Sequence, residues 1–393
     1  MTIEAANEVG MRGRRLRLGM VGGGRGAFIG AVHRIAARLD DQYELVAGAL
    51  SADPERARLS AADTGIAPER AYGDFRTMAE AEAKRVDGID VVAIVTPNHL
   101  HHPAARAFLD AGIHVICDKP ISRTVEEAED LVRAVKASGK VFVLTHNYTG
   151  YPMVRHARQM VAAGELGPIR IVQVEYPQEW LTTPLERNGQ KQAEWRTDPE
   201  RSGAGGCLGD IGTHAFNLAE FVTGLHVEYV AAELTTFVPG RRLDDNVQMM
   251  LRFAGGARGA LWSSQVAPGN ENGLQLRVYG EKGGFVWRQD HPDYIHYTPF
   301  GKPPSLITRG GPAASPDATH ATRIPAGHPE GYLEGFAQLY ADAAALIRAH
   351  DQKRPPDPSA ALLPTAEDGL RGMRFVTATV ESSKRNSTWT VIG

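Results

Sequence analysis

Cysteine is nearly absent. Cys117 and Cys207 are the only two in 393 residues, too few for a disulfide framework. Long apolar runs are missing too. None approaches the ~20 residues of a membrane-spanning helix, so no membrane partner is expected. The N-terminal stretch lacks the apolar core of a signal peptide, because Arg12, Arg14 and Arg15 run straight into a strand. Nor is there a basic excess. The formal net charge of -3 argues against a nucleic-acid partner, which would concentrate Lys and Arg on one face. What remains is an ordinary globular composition, 42% hydrophobic and 23% charged. A chain of this length exceeds one core, so two domains are the default, and a cytoplasmic enzyme fits.

Glycine, by contrast, is abundant and patterned. Residues 16–21 read as a strand, Gly22-Gly23-Gly24-Arg25-Gly26-Ala27-Phe28-Ile29-Gly30 as a turn, and residues 31–37 as a helix. Strand, glycine turn and helix together form a phosphate cradle, since glycine lets backbone approach a pyrophosphate and the helix N-terminus offers amides. Gly22-x-Gly24-x-x-Ala27 satisfies the fingerprint with alanine third; Gly30 is the alternative third glycine after a two-residue insertion. A second strand spans residues 43–50 and runs into Ser51-Ala52-Asp53, with Arg56 one helical turn on. Asp53 is either a helix cap or a ribose contact. NAD is the expected cofactor, with NADP the alternative.

Three more strands end in polar residues, where ligands of such sheets bind. Residues 89–95 lead to Thr96-Pro97-Asn98-His99-Leu100-His101-His102, residues 113–117 to Asp118-Lys119-Pro120, and residues 141–144 to Thr145-His146-Asn147-Tyr148. Three histidines in four residues raise the question of metal, but no carboxylate or cysteine stands at ligand spacing nearby, so none is expected. Lys119 points into the crevice or is a solvated loop lysine.

Further on, a glycine loop over residues 201–206 precedes Cys207-Leu208-Gly209-Asp210-Ile211-Gly212-Thr213-His214 and an apolar helix. The spacing places Asp210 and His214 on one helix face. They are a surface ion pair or a proton-transfer pair, since histidine titrates near neutrality and a carboxylate orients its ring.

With Gly22-x-Gly24, Thr96-Pro97-Asn98-x-x-His101, Asp118-Lys119-Pro120, His146-Asn147-Tyr148, Trp195-Arg196 and Gly209-Asp210-Ile211-Gly212-Thr213-His214 in that order, the chain resembles the Gfo/Idh/MocA family from about residue 16 to near its C-terminus. The resemblance implies an α/β chain: a Rossmann domain binding NAD or NADP, then an α+β domain with a large, mostly antiparallel sheet holding a sugar, cyclitol or related polyol. It implies that Lys119 is the catalytic lysine, that Asp210 and His214 are its partners, that Arg196 helps hold the cofactor and that Asn147 lies near the nicotinamide. The formal base is Lys119 or His214. Asp118 replaces the usual glutamate, Ser51 replaces the acid of many NAD-using members, and the insertion around Arg25-Gly26 alters the phosphate turn. Within the family the chain looks most like the levoglucosan dehydrogenase and glycoside 3-dehydrogenase side.

The expected division is a flexible extension over residues 1–14, the Rossmann domain over 15–148, and a substrate and oligomerisation domain over 149–393 whose last helix packs back on the first domain. The expected cofactor contacts are Gly22, Gly24, Arg25, Gly26, Ala27 and Phe28; Ser51, Asp53 and Arg56; Thr96, Pro97, Asn98 and His101; Asp118, Lys119 and Asn147; and Trp195 and Arg196. The expected substrate contacts are Lys119, Tyr148, Tyr176, Gln178, Trp180, Asp210 and His214. Residues 169–176 read as a long strand of period two, with further strands at 230–237, 247–253, 257–266 and 274–280. Residues 293–329 read as an irregular surface excursion. An open sheet face needs a cover, so a homodimer or homotetramer is expected. Two other classes compete: a metal-dependent sugar isomerase or lyase using Asp210, His214 and the histidines at 99–102, and a non-catalytic NAD(P) sensor.

Overall fold

The computed structural model describes residues 14–393, so the expected extension falls almost wholly outside the described residues. Strand β3 (Val91–Val95) carries no polar side chain and is buried throughout, as a strand covered on both faces must be. It lies between β1 (Leu16–Gly22) and β4 (His114–Cys117), with β2 (Tyr43–Ala49) and β5 (Phe142–Leu144) outside them. All pairings in this sheet are parallel, in the order β2-β1-β3-β4-β5. The connectivity changes direction between β1 and β3, which opens a crevice beyond their carboxyl ends. Asp53, Asp74 and Thr124 cap the following helices by accepting from backbone N–H groups, about 1 kcal/mol each.

The second sheet has nine strands: β6 (Ile169–Pro177), β7 (Val227–Thr235), β8 (Asn246–Phe253), β9 (Arg258–Ser264), β10 (Gln275–Gly280), β11 (Gly283–Arg288), β12 (Tyr294–Pro299), β13 (Ser305–Thr308) and β14 (Thr390–Val391). Their order is β13-β12-β11-β10-β6-β9-β8-β7-β14, and only the β6–β9 pair is parallel. Val172, Val174, Phe216, Phe253, Trp287 and Phe375 form the core between one face and its helices. The other face leaves Ile171, Met250, Tyr279 and Leu306 exposed.

Residues 293–329 are a correction to the sequence reading. They hold β12, β13 and the helix Pro316–Ala321. Proline and glycine disguised the alternation of Tyr294-Ile295-His296-Tyr297, and a buried arginine ties the segment down. The Arg309 guanidinium reaches Asp293, Glu330 and the Ile324 carbonyl at 2.6, 3.0 and 2.7 Å. Strand β11 also escaped the sequence reading, because Gly283-Gly284 reads as a turn.

Two late helices stitch the halves together. Tyr332–Asp351 buries Phe336, Leu339, Tyr340 and Ile347 in one cluster with Leu18 and Val32. In Ala366–Lys384, Leu370 and Met373 join the core of the parallel sheet, while Phe375 and Val376 join that of the nine-stranded sheet. No helix among the described residues is long and apolar enough to cross a membrane.

Candidate active site

A cleft of about 1030 Å³ runs over the carboxyl ends of the parallel strands. Gly22, Gly24, Arg25, Gly26, Ala27 and Phe28 line one end of it. Gly22, Gly23 and Gly26 have φ of 80°, 73° and 79°, a region that favours glycine. The third glycine is Gly30, not Ala27. A Cβ on Gly30 would lie 2.3 Å from the Gly23 Cα, so this is where helix and turn meet at closest approach. The helix Phe28–Leu39 begins without a side-chain cap, leaving its first amides to an anion. The Arg25 guanidinium is paired with Asp63.

Ser51 and Arg56 line the cleft, and Asp53 does not. The Asp53 carboxylate accepts from the Arg56 amide at 2.7 Å, so it is the helix cap rather than a ribose contact. His101 is a second correction. It is buried outside the cleft lining, with its ring nitrogens 2.6 Å from the Pro120 carbonyl and 2.8 Å from that of Thr96. It braces the loops that carry Thr96 and Lys119 instead of touching a ligand. Its neighbour His102 bonds Asp130 at 2.9 Å. These engagements remove two of the three histidines on which a metal-dependent reading relied.

Thr96, Pro97, Asn98, Asp118, Lys119 and Asn147 continue the lining. The Asn98 amide donates to the Ser202 carbonyl at 3.0 Å, tying the β3 end to the loop before Asp210. Asp118 accepts from Thr145 at 2.8 Å and from the Lys119 amide at 2.9 Å, which fixes the lysine loop. Thr96 Oγ1 and Asn147 Nδ2 are buried without a partner among the described residues. A glycine cradle with no room for a Cβ at Gly22, Gly23, Gly24 or Gly30, an uncapped helix start and the buried polar atoms of Thr96 and Asn147 fit a dinucleotide.

Lys119 Nζ donates to the Asp210 carbonyl at 2.6 Å and to its carboxylate at 3.0 Å. The other carboxylate oxygen accepts from Arg196 Nε at 3.1 Å and Gln265 Nε2 at 2.8 Å. Burial opposes charge on Asp210, yet Lys119 and Arg196 together hold its carboxyl below the usual range. His214 shares the wall but not these bonds. Residues Leu208–Gly212 form a π-helical turn before the helix Thr213–Thr223, a feature frequent at functional sites. The expected contact between Asp210 and the imidazole is therefore absent. His214 Nδ1 is buried without a partner among the described residues, and the ring packs edge-on against Tyr148 and His146 at 5.1 and 5.4 Å. Burial, then the Lys119 charge and His146, push its pKa well below 6.5.

Tyr148, Tyr176, Gln178, Trp180, Trp195 and Arg196 also line the cleft. The Arg196 guanidinium lies over the Trp195 ring at 4.3 Å while also holding Asp210. Three residues went unrecognised in the sequence. Gln265 follows a strand with no motif around it. Asn272 lies in a stretch with turn composition, and it bonds Tyr176 and Gln178 at 2.8 and 2.7 Å. Asp244 accepts from the Gly206 and Leu208 amides at 2.7 and 2.8 Å, anchoring the turn that carries Asp210.

The cleft thus sets a dinucleotide cradle against a lysine, a carboxylate and an imidazole. Residues 16–148 match a family model for an oxidoreductase family with an NAD-binding Rossmann fold, and residues 154–286 match the GFO/IDH/MocA C-terminal domain. The chain belongs to the Gfo/Idh/MocA family. A solved oxidoreductase from Sinorhizobium meliloti is 55% identical, with TM-score 0.87 over 96% of this chain and 99% of that one. An inositol dehydrogenase homolog from Azotobacter vinelandii, solved with NAD+, is 36% identical, with TM-score 0.92 over 97% and 98%. Levoglucosan dehydrogenase of Pseudarthrobacter phenanthrenivorans is 28% identical over 95% of this chain and 97% of its own. As a Gfo/Idh/MocA member the chain is an NAD(P)-dependent dehydrogenase whose Rossmann domain binds NAD.

Buried histidines of this Gfo/Idh/MocA enzyme carry an acid-stability prediction. Burial holds His33 and His114 at about 4, and burial with the nearby Lys119 holds His146 at about 3, against 6.5 unperturbed. With His214 these are four bases that stay neutral in the folded chain around pH 5 and are protonated in the unfolded one. Their contribution is full above pH 6.5 and is lost as pH falls. Asp244 works oppositely: burial raises it from 3.8 to about 6, so its contribution is lost as pH rises through that window. The buried histidines outnumber Asp244, so net stability should fall as the pH drops from 7 to 5. Urea midpoints should fall sharply from pH 7 to pH 5; equal midpoints would contradict this.

Proposed function

We propose that this dehydrogenase oxidises a secondary hydroxyl of a polyhydroxylated ring, a sugar, glycoside or cyclitol, with NAD as the preferred acceptor and NADP as the alternative. The observation that carries the reading is the single cleft wall where Lys119, Asp210 and His214 meet the amide and phenol groups of Gln178, Tyr148 and Tyr176. Trp180 adds an aromatic face, suited to the C–H face of a sugar ring. Relatives solved with NADH and myo-inositol and with NADH and levoglucosan support the same class.

The dinucleotide would lie in the glycine cradle, against Thr96, Asn98 and Asn147. When bound, its nicotinamide supplies the acceptor for the hydrogen on the reacting carbon. The chain's own groups handle the oxygen. Lys119 donates a hydrogen bond to it and stabilises developing negative charge. Neutral His214 has an unprotonated ring nitrogen to take the hydroxyl proton. Its depressed pKa makes the protonated ring a ready donor in the reverse direction. Asp210 orients Lys119 through the 3.0 Å bond and does not orient His214. The exposed face bearing Ile171, Met250 and Tyr279 supports a homodimer or homotetramer packed sheet to sheet, and a cytoplasmic location goes with this reading.

The test is turnover of a panel of pyranosides, inositols and aliphatic alcohols with NAD+ and NADP+. Ring polyols should reduce NAD+. Turnover confined to aliphatic alcohols would overturn the substrate class. NADPH binding tenfold tighter than NADH, about 1.4 kcal/mol, would overturn the cofactor preference.

A further inference from the structure

We infer that Asn272 sets the hydrogen-bond polarity of the substrate wall, so that the wall presents acceptors and selects rings with a free hydroxyl beside the reacting one. The inference rests on the polyol reading above. Asn272 lies between β9 and β10, on a loop pinned to the end of β6 by the Gly273 amide, which donates to the Pro177 carbonyl at 2.9 Å. A Cβ on Gly273 would meet Pro177 at 2.9 Å, so the loop lies close against that strand.

An asparagine side chain has one acceptor oxygen and one donor nitrogen. Here the oxygen accepts from Tyr176 Oη at 2.8 Å and from Gln178 Nε2 at 2.7 Å. The nitrogen donates to Gln289 Oε1 at 2.9 Å and reaches Tyr148 Oη at 3.5 Å. These bonds fix every proton around them. Tyr176 gives its single proton to Asn272, so the hydrogen bond between the two phenols must use the proton of Tyr148. The Tyr148 oxygen then keeps lone pairs and no proton to give. Gln178 turns its amino group to Asn272, which aims its carbonyl oxygen the other way, with no protein partner among the described residues. Both residues line the cleft.

Tyr148 and Tyr176 also lie edge-on to His214, with ring centroids 5.1 and 6.2 Å away. Acceptors at that place meet the hydroxyl adjoining the one that loses its proton to His214. A ring lacking that hydroxyl, or bearing a methyl ether there, leaves the buried Tyr148 oxygen and the half-buried Gln178 carbonyl unmatched. Such a site rejects the analogue strongly, because the cost falls on its own unpaired groups. Asn272 touches none of the reacting atoms and is a positioning residue.

The experiment uses the full chain with NAD+ and a ring polyol that the wild type oxidises, beside its deoxy and O-methyl analogues at the neighbouring hydroxyl. The variants are Asn272→Leu and Asn272→Asp. Leucine removes the acceptor that orders the wall. It should raise KM for the parent polyol at least ~10-fold and abolish discrimination against the analogues, with kcat within about threefold and NADH affinity unchanged. Aspartate keeps the acceptor for Tyr176 and Gln178, Gln289 can turn its amide to donate to it, and only the long 3.5 Å contact with Tyr148 is given up. That variant should hold both KM and discrimination within about threefold of wild type. Unchanged KM and discrimination in Asn272→Leu overturns the inference, as does an aspartate variant that discriminates no better than the leucine one. A wild type that oxidises no ring polyol overturns the polyol reading itself, and this inference with it.

Discussion

Lys119→Ala should lower turnover by at least ~10²-fold, the lower range for loss of a group that stabilises a reacting oxygen or moves its proton. Removing the ammonium does not dismantle the wall. Asp210 keeps Arg196 at 3.1 Å and Gln265 at 2.8 Å, so no uncompensated charge is left buried. The lysine loop keeps its shape, because Asp118 holds the Lys119 backbone amide and Thr145. The loss should therefore appear in kcat with folding intact. His214→Ala should cost a similar factor and leave NADH affinity nearly unchanged, since His214 makes no hydrogen bond to the glycine cradle. Steady-state kinetics with calorimetric NADH titration checks both. Turnover within about threefold of wild type for either variant would show that the residue is a bystander.

Gly30→Ala should weaken NADH binding at least ~10-fold or destabilise the fold by about 1–3 kcal/mol, the usual cost of overpacking. The added carbon would lie 2.3 Å from the Gly23 Cα and 2.4 Å from its carbonyl oxygen. Both are backbone atoms, so relief requires the whole helix Phe28–Leu39 to move off the turn, opening the phosphate cradle. Gly372→Ala is the control. A Cβ there meets nothing within 4 Å, and the residue lies inside the helix Ala366–Lys384, where alanine is favoured over glycine by up to ~1 kcal/mol. Gly372→Ala should bind NADH normally and melt no lower than wild type. A Gly30→Ala protein with native NADH affinity and stability would contradict the cradle.

The parallel sheet was legible because each of its strands is a short apolar run ending in polar residues at a known edge. The same regularity brought Gly22, Thr96, Asp118, Lys119 and Asn147 to one cleft. What failed to read was anything decided by a partner far along the chain. His101 has the right residue type at the right strand end, and only geometry shows that the carbonyls of Thr96 and Pro120 occupy its ring nitrogens; at Asp53, where cap and ribose contact were both open, the Arg56 amide decides for the cap. Asp210 and His214 are four apart, which implies contact on an α-helix, but the π-turn breaks that spacing and gives the carboxylate to Lys119, 91 residues earlier in the chain. Gln265, Asn272 and Asp244 carry no local signal, since each acts through a bond to a segment 17 to 96 residues away. In the second sheet, β11 and β12 were masked by glycines and prolines that the fold tolerates at strand ends.

A double-mutant cycle between Lys119 and His214 shows whether residues from both halves of the chain form one catalytic unit. Groups that act on the same reacting oxygen are strongly non-additive when removed. Lys119→Ala/His214→Ala should have a kcat close to that of the slower single variant. A double variant slower than wild type by the full product of the two single losses would show two independent contributions, and would contradict a shared site.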